Sequence, residues 1–416
     1  MDLTLDLLVI GFGKAGKTLA MKRAAAGDRV AIVEQSPAMY GGTCINIACV
    51  PTKRLLVESA RGTDFPAARQ DRNAFIAKLN AANKKMVEDK DVLIIDGFAT
   101  FTGPKTVQVA DLSVTAETIV INTGARSNVA VEGKIHDSTS IQQIESRPDT
   151  LAIIGAGPIG LEFATMFNQF GSQVTVYTGE RPFLPAYDPD IAEEVQSHLA
   201  AQGITFVAER VADPNTLDDD AVLVAIGRKP AIDDLGLDTA GIAYTDEGIA
   251  VDEYCQTNVE GVYAAGDVNG GPQFTYVSYD DHRVILSHRW GDRSRSRTGR
   301  VIPTTIFTNP PLSQVGMSEQ EAKASHRVSI RKAKIADLAI VPRPKIEKHP
   351  EGVAKFIVDE DTDAILGATL FCVDSHELIN TVALAIAHGL TAKQVGDAIY
   401  THPATSEVFN ALLASS

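Results

Sequence analysis

One pattern of apolar and polar positions occurs twice along the chain. A continuous apolar run, Leu5–Ile10, leads into Gly11-Phe12-Gly13-Lys14-Ala15-Gly16 and a predicted helix through about Ala25, and a second apolar run, Val30–Val33, ends at Glu34. The plan returns as Leu151–Ile154, then Gly155-Ala156-Gly157-Pro158-Ile159-Gly160, a predicted helix to about Phe170, and Gln173–Tyr177. Apolar runs without polar alternation predict strands buried on both faces, and strands joined by helices predict a parallel, doubly wound sheet. The pattern changes after Arg293–Arg300, a basic Ser/Arg-rich run that reads as a linker. Beyond it Ile306, Ser313–Gly316, Val353–Val358 and Leu366–Val373 read as antiparallel strands, with helices near Ser375–Ala387 and Thr391–Ile399. The expectation is an α/β fold: two doubly wound dinucleotide-binding domains and a C-terminal α+β domain. Its expected limits are 1–147 with 248–297, then 148–247, then 298–416.

Each glycine fingerprint has a mechanical task. The glycines allow a tight turn, close approach of backbone to a pyrophosphate, and close packing of helix on strand. The helix N-terminus then offers N–H groups and its positive dipole end to phosphate. One such motif is weak evidence; two, each between a strand and a helix, point to dinucleotide binding through Gly11, Gly13 and Gly16 and through Gly155, Gly157 and Gly160. Glu34, at the end of the second strand, is placed to accept from a ribose hydroxyl, against the plain reading of a solvated strand-end charge. Thr257–Asp267 ends an apolar strand in Gly266-Asp267, where a carboxylate can bind a polyol such as a ribityl chain.

Composition narrows the function classes. A chain of 416 residues exceeds one compact core, and 44 % hydrophobic with 22 % charged residues is an ordinary globular balance. The net charge of -15 opposes nucleic-acid or anionic-membrane partners. No apolar run approaches the roughly 18 residues that span a bilayer. The N-terminus enters a strand without a basic, apolar leader, so no signal peptide is expected. Four cysteines, with Cys255 and Cys372 isolated, match reducing-compartment usage, and a cytoplasmic location is expected.

Candidate chemistry centres on Gly42-Thr43-Cys44-Ile45-Asn46-Ile47-Ala48-Cys49-Val50-Pro51-Thr52-Lys53. Cys44 and Cys49 are too far apart for one regular helical turn, so they can close a disulfide only where a helix is just starting or is distorted. The pair reads as the redox disulfide of a flavoprotein. As a structural staple so short a loop would restrict the unfolded chain by only roughly 2 kcal/mol. A zinc site would need two further ligands at matching spacing, and none is evident; no metal site is expected. Cys255 reads as a small hydrophobe, and Cys372 with His376 as packing and surface features.

Taken together these residues resemble the FAD-dependent pyridine nucleotide–disulfide oxidoreductases, the family of glutathione reductase, dihydrolipoamide dehydrogenase and mercuric reductase. The resemblance covers nearly the whole chain: the redox motif, both fingerprints, Ile119–Gly124 and Val222–Gly227 as strand-to-glycine crossings, Ala265-Gly266-Asp267, and His402-Pro403-Ala404-Thr405-Ser406-Glu407. The stretches GFGKAGKTLA, AMYGGTCINIAC, QFTYVSYDDHR, PPLSQVGMSE and CVDSHELIN look closer still to the RclA-type reactive-chlorine-resistance flavoproteins and related hypothiocyanous acid reductases. The resemblance implies FAD held through the first fingerprint with Glu34, Gly42, Thr43, Thr123, Gly124, Gly266 and Asp267. It implies NADPH or NADH held by the second fingerprint, with Thr178, Arg181 and Gly227 nearby. Electrons would pass from nicotinamide through flavin to the Cys44–Cys49 disulfide, Cys49 lying nearer the ring and Cys44 meeting substrate. Lys53 would stand near the flavin, ion-paired with Glu162. His402, oriented by Glu407, would be the base and would come from the other subunit of a homodimer.

Three departures from the family pattern matter. Ala48 stands where most members have glycine, and Pro158 where several have a tyrosine that lids the nicotinamide pocket. Between Ile204–Val211 and Val222–Ile226 a short segment replaces a longer three-stranded meander, so the second nucleotide domain is expected to be trimmed. Thr178 replaces the acidic residue that would hold a 2′-hydroxyl, and Arg181 just beyond it leans the expectation slightly towards NADPH. The functional expectation is an oxidant-defence reductase acting on a small oxidant such as hypothiocyanous acid. Alternatives are a dihydrolipoamide dehydrogenase, a mercuric- or copper-type metal-ion reductase, and a flavin-binding protein without turnover.

Overall fold

The computed structural model describes residues 2–415. Its first sheet runs Leu93–Asp96, Val30–Glu34, Asp2–Ile10, Leu112–Ile121, Thr106–Val109, Ala99–Gly103, with Val262–Ala264 also paired to Leu112–Ile121. The strands nearest the glycine turn are parallel, Val9 lying opposite Ile32 on one side and Val120 on the other. Both faces of that centre are covered, which is why Leu7, Leu8 and Val9 are fully buried without alternation. Val262–Ala264 joins this sheet after the chain has built the second one, so the first unit is made from two separate stretches of sequence.

The second sheet is all parallel in the order Thr205–Val207, Gln173–Tyr177, Thr150–Ile154, Ala221–Val224, Ile135–His136. The strand expected over 204–211 is only Thr205–Val207, and between it and Ala221–Val224 the chain forms a single short turn of 3-10 helix, Pro214–Thr216. The trimmed connection foreseen from sequence is therefore a short loop. Aspartates and a proline there supply turn chemistry and no apolar face to bury.

The third sheet is antiparallel, Thr304–Ile306, Leu312–Gly316, Ile365–Phe371, Val353–Asp359, Val328–Lys334. Helix Ser375–Ala387 packs on it, while the helix expected over 391–399 is shorter, Ala392–Gly396, opened by a Thr391–Gln394 capping box. One apolar cluster joins the helices Cys49–Ala60 and Pro158–Gln169 to this third sheet through Leu55, Phe163, Phe167, Ile306, Val353 and Phe371. A second tie is ionic. Lys355, its side chain 1 % exposed, reaches Asp188, Asp190 and Glu319 at 3.0, 2.9 and 2.6 Å. Asp188 caps the helix Pro189–Ala201 beside the second sheet, so this cluster clamps that unit to the third sheet. The Arg293–Arg300 run is more than a linker. Arg300 is mostly buried and pairs with Asp280 at 2.9 Å and Asp281 at 2.7 Å.

Candidate active site

A cavity of about 1360 Å³ runs from the first glycine turn to the cysteine pair. At its phosphate end the backbone, not side chains, sets the shape. Gly11 has φ +96° and lies so close to the strand-end Asn122 that a Cβ would sit 2.5 Å from that residue's carbonyl oxygen. Gly13 faces the Asn122 side chain with no room for a Cβ, and a Cβ on Gly42 (φ +78°) would be 2.9 Å from the Gly13 Cα. Gly16 is buried behind the turn, its N–H donating to Asn122 Oδ1 at 2.9 Å. Asn122 in turn donates to the Ala265 carbonyl at 2.5 Å, tying the first turn to the Gly266-Asp267 segment.

Glu34 lies at the cavity wall and accepts from the Phe12 N–H at 3.0 Å and the Ser36 N–H at 3.1 Å. Burial pushes its carboxyl above the usual range, against those N–H groups. Asp267, Thr43, Thr123 and Gly124 line the same cavity, and burial raises Asp267 too, with Arg228 opposing. Gly266 does not line it. Its N–H donates to Asp281 at 2.8 Å, so it positions Asp267 from behind. A cradle closed to side chains at the pyrophosphate end, with acceptors at Glu34 and Asp267 for hydroxyls, fits FAD.

Cys44 sits in the short helix Thr43–Asn46, and Cys49 opens the helix Cys49–Ala60. The interruption at Ile47-Ala48 is the helix start that the spacing demanded. Both cysteines are free thiols in this structure and both line the cavity. The Cys44 thiol donates to Cys49, and this bond, with the Thr275 hydroxyl at 3.6 Å and the Lys53 charge, pulls Cys49 down to about 6 against burial. Cys44 is pushed up by the same bond and by burial. The pair therefore carries one negative charge, favouring Cys49.

Lys53, one helical turn after Cys49, pairs with Glu162 at 2.6 Å and lies 4.6 Å over the Phe307 ring. Glu162 also accepts from the Phe307 N–H at 3.0 Å, so three elements fix this ion pair. His376 stacks obliquely on Phe307 with ring centroids 5.6 Å apart and lines the cavity. Its side chain is 36 % exposed, as a surface feature would be, while its Nδ1 is buried without a hydrogen-bond partner among the described residues. Thr275, Phe307, His376 and Asn122 carry no motif of their own; only the assembled site reveals them.

His402 stands apart. It bonds Glu407 at 2.8 Å, and Glu407 also accepts from the Ala404 N–H at 2.9 Å, but the imidazole is 70 % exposed and does not line the cavity of its own chain. Gly155, Gly157, Gly160, Thr178, Arg181 and Gly227 also lie outside this cavity; Gly155, Thr178 and Gly227 follow strands of the second sheet, Gly157 caps the helix Pro158–Gln169, and Gly160 lies buried within it. Gly155 has φ +111° and packs so tightly that a Cβ would be 2.5 Å from the Ala225 carbonyl. Thr178 is tied by its N–H to the Val207 carbonyl at 2.9 Å, and Arg181 is exposed. Beside Gly227, Ile226 is an apolar side chain left 72 % exposed after the strand Ala221–Val224. Among the described residues no group of three His, Cys, Asp or Glu is arranged to hold a metal ion, and no helix is long and apolar enough to cross a membrane.

Comparison with known proteins places this geometry. Residues 5–281 match the pyridine nucleotide-disulphide oxidoreductase family and residues 302–413 its dimerisation domain. The probable pyridine nucleotide-disulfide oxidoreductase RclA of Escherichia coli (strain K12) is 40% identical over 434 residues, covering 98% of each chain. A mercuric reductase of Staphylococcus aureus is 31% identical over 94% of this chain and 79% of its own. A Cu(II) complex of the HOCl-induced flavoprotein disulfide reductase RclA from Escherichia coli superposes with a TM-score of 0.94, at 39% identity over 99% of both chains.

Proposed function

Since this chain belongs to the pyridine nucleotide-disulphide oxidoreductase family, whose members use FAD and NAD(P)H, we propose that it reduces a small oxidant such as hypothiocyanous acid through Cys44 and Cys49. The observation that carries the reading is the thiol pair itself: one cavity holds both sulfurs, shifted in opposite directions, beside a lysine–carboxylate pair. FAD, held by the glycine turn, Glu34 and Asp267, would supply two-electron transfer between the nicotinamide and the disulfide. The remaining work belongs to the chain. Stretches 1–147 and 248–297 hold FAD, 148–247 the nicotinamide, and 298–416 pairs two subunits. Lys53, braced by Glu162, supplies positive charge where electrons arrive.

Cys44 then meets the oxidant. Its sulfur attacks the sulfur of hypothiocyanous acid and expels hydroxide, which leaves as water; Cys49 attacks the mixed species and expels thiocyanate. The dithiol loses two electrons and closes to the disulfide, and the oxidant yields thiocyanate, a proton and water. His402 of the second subunit acts as the base, held by Glu407; its exposure in a single chain, away from its own thiols, supports a role across the homodimer. Arg181 at the second crevice supports NADPH over NADH.

The test is NADPH and NADH oxidation with hypothiocyanous acid, lipoamide serving as the comparison acceptor. Rapid turnover with hypothiocyanous acid, lost in Cys44→Ser while FAD stays bound, is expected. Faster turnover with lipoamide would sink the defence reading in favour of a dihydrolipoamide dehydrogenase. A metal ion as substrate is the second reading, favoured by the likeness to the Cu(II)-bound RclA structure, and Cu(II) as the only acceptor tests it.

A further inference from the structure

Lys17 is a buried ammonium that the reaction above does not use. It lies one turn into the helix Lys14–Ala24, 5 % exposed, and its Nζ donates to Asn83 Oδ1. The Asn83 amide is itself committed, donating to the Leu79 carbonyl at 2.7 Å. An ammonium removed from water costs several kcal/mol unless a counter-charge compensates. The charges acting on Lys17 are Lys14, which opposes it, and Cys44, which favours it. Lys14 lines the cofactor cavity; Lys17 does not, so a bound phosphate is reached by the former.

Asn83 places that ammonium beneath the redox turn. A Cβ on Gly41 would touch Asn83 Cγ and Ile45 Cγ1 at 3.1 Å each, so the amide packs directly under the segment carrying Cys44. The charged and polar groups acting on the two thiols are then Lys17 from the helix Lys14–Ala24, Lys53 from Cys49–Ala60, Glu162 from Pro158–Gln169, and the Thr275 hydroxyl. Lys53 acts on Cys49 but is neutralised by Glu162, whereas among the described residues no carboxylate pairs with Lys17.

We infer that Lys17 is a positioning residue that draws part of the dithiol's single negative charge onto Cys44, readying that sulfur for an electrophilic oxidant. The inference rests on Cys44 being the substrate-facing thiol. It is tested without any acceptor, so its failure is distinguishable from failure of the oxidant assignment.

The FAD-loaded protein is reduced with dithionite, treated with substoichiometric iodoacetamide, and the first label apportioned between Cys44 and Cys49 by mass spectrometry. Lys17→Met is expected to lower the ratio of Cys44 to Cys49 label by about tenfold, equivalent to about one pKa unit. Lys17→Arg, which keeps the charge, is expected to restore most of it. A Lys17→Met ratio within about twofold of wild type, with FAD bound, overturns the inference. FAD loss with an unchanged ratio overturns it equally and makes a cofactor phosphate the partner of Lys17. Wild-type protein gives an arm that needs no variant. Burial and Lys14 pull Lys17 down to about 8, so it is charged below that pH and neutral above. The Cys44 share should therefore fall as pH rises through that value, and a share that stays flat or rises overturns the inference.

Discussion

At the scale of single residues, the site is governed by which groups share one negative charge. Cys49 is held at about 6 by the Cys44 thiol, the Thr275 hydroxyl and Lys53, with burial opposing them. Below that pH the pair is neutral, and above it the thiolate is present, so iodoacetamide should label the dithiol protein with a midpoint near 6. Thr275→Val removes a hydrogen bond to a charged sulfur, worth about 1.5 kcal/mol, and should raise the midpoint by about one unit. Labelling followed against pH checks both; an unmoved midpoint would remove Thr275 from the site. Cys44 and Cys49 were visible in sequence because their spacing is the signal, and Lys53 because it matches the family's motif. Thr275 was not, because it approaches from a helix more than two hundred residues later, inside a stretch noticed only for its wording. His376 was read as a surface feature, and its side chain is partly exposed, yet it also lines the cavity, which its local sequence does not show. Nothing local tells a histidine at a helix start whether Phe307 will lie against it.

Elements were legible where one pattern dominates. Gln173–Tyr177 and Ser375–Ala387 occur with the limits expected, since continuous apolar strands and strongly periodic helices leave little choice. The 24-residue helix Phe65–Glu88 and the antiparallel strands Ala99–Gly103 and Thr106–Val109 were not singled out, because their mixed burial weakens both periods. Yet that helix supplies Asn83 under the redox turn. The first glycine turn is rigid because Asn122 fills the space a Cβ would need at Gly11 and Gly13. Gly13→Ala should therefore displace Asn122, cost roughly 1–3 kcal/mol and release FAD. Melting temperature and bound-flavin absorbance read this out; a variant that keeps both at wild-type levels would show that the turn yields easily.

At the scale of the whole molecule, the first unit is closed by Val262–Ala264, and the second is clamped to the third sheet by Lys355 with Asp188, Asp190 and Glu319. Burial works against the Lys355 charge, but the three carboxylates together keep its pKa above the ordinary lysine range. His402 shows what a single chain lacks. It is oriented by Glu407 and does not line its own chain's cavity. If it serves the partner's thiols, mixing inactive Cys44→Ser protein with inactive His402→Gln protein should restore about a quarter of wild-type activity, because half of randomly paired dimers then hold one complete site. No recovery after confirmed subunit exchange would place the base within one chain.

Sequence alone determined the two nucleotide-type units, the antiparallel third unit and the thiol pair, because short-range spacing and apolar period encode each; Lys53 and Glu162 were legible only through the family resemblance. Only the tertiary structure decided which groups surround the sulfurs, how Asn122 shapes the glycine turn, that Lys17 lies buried against Asn83, and that His402 does not line its own chain's cavity. Those facts depend on side chains brought together from distant elements, and burial and charge are properties of that assembly rather than of any segment within it.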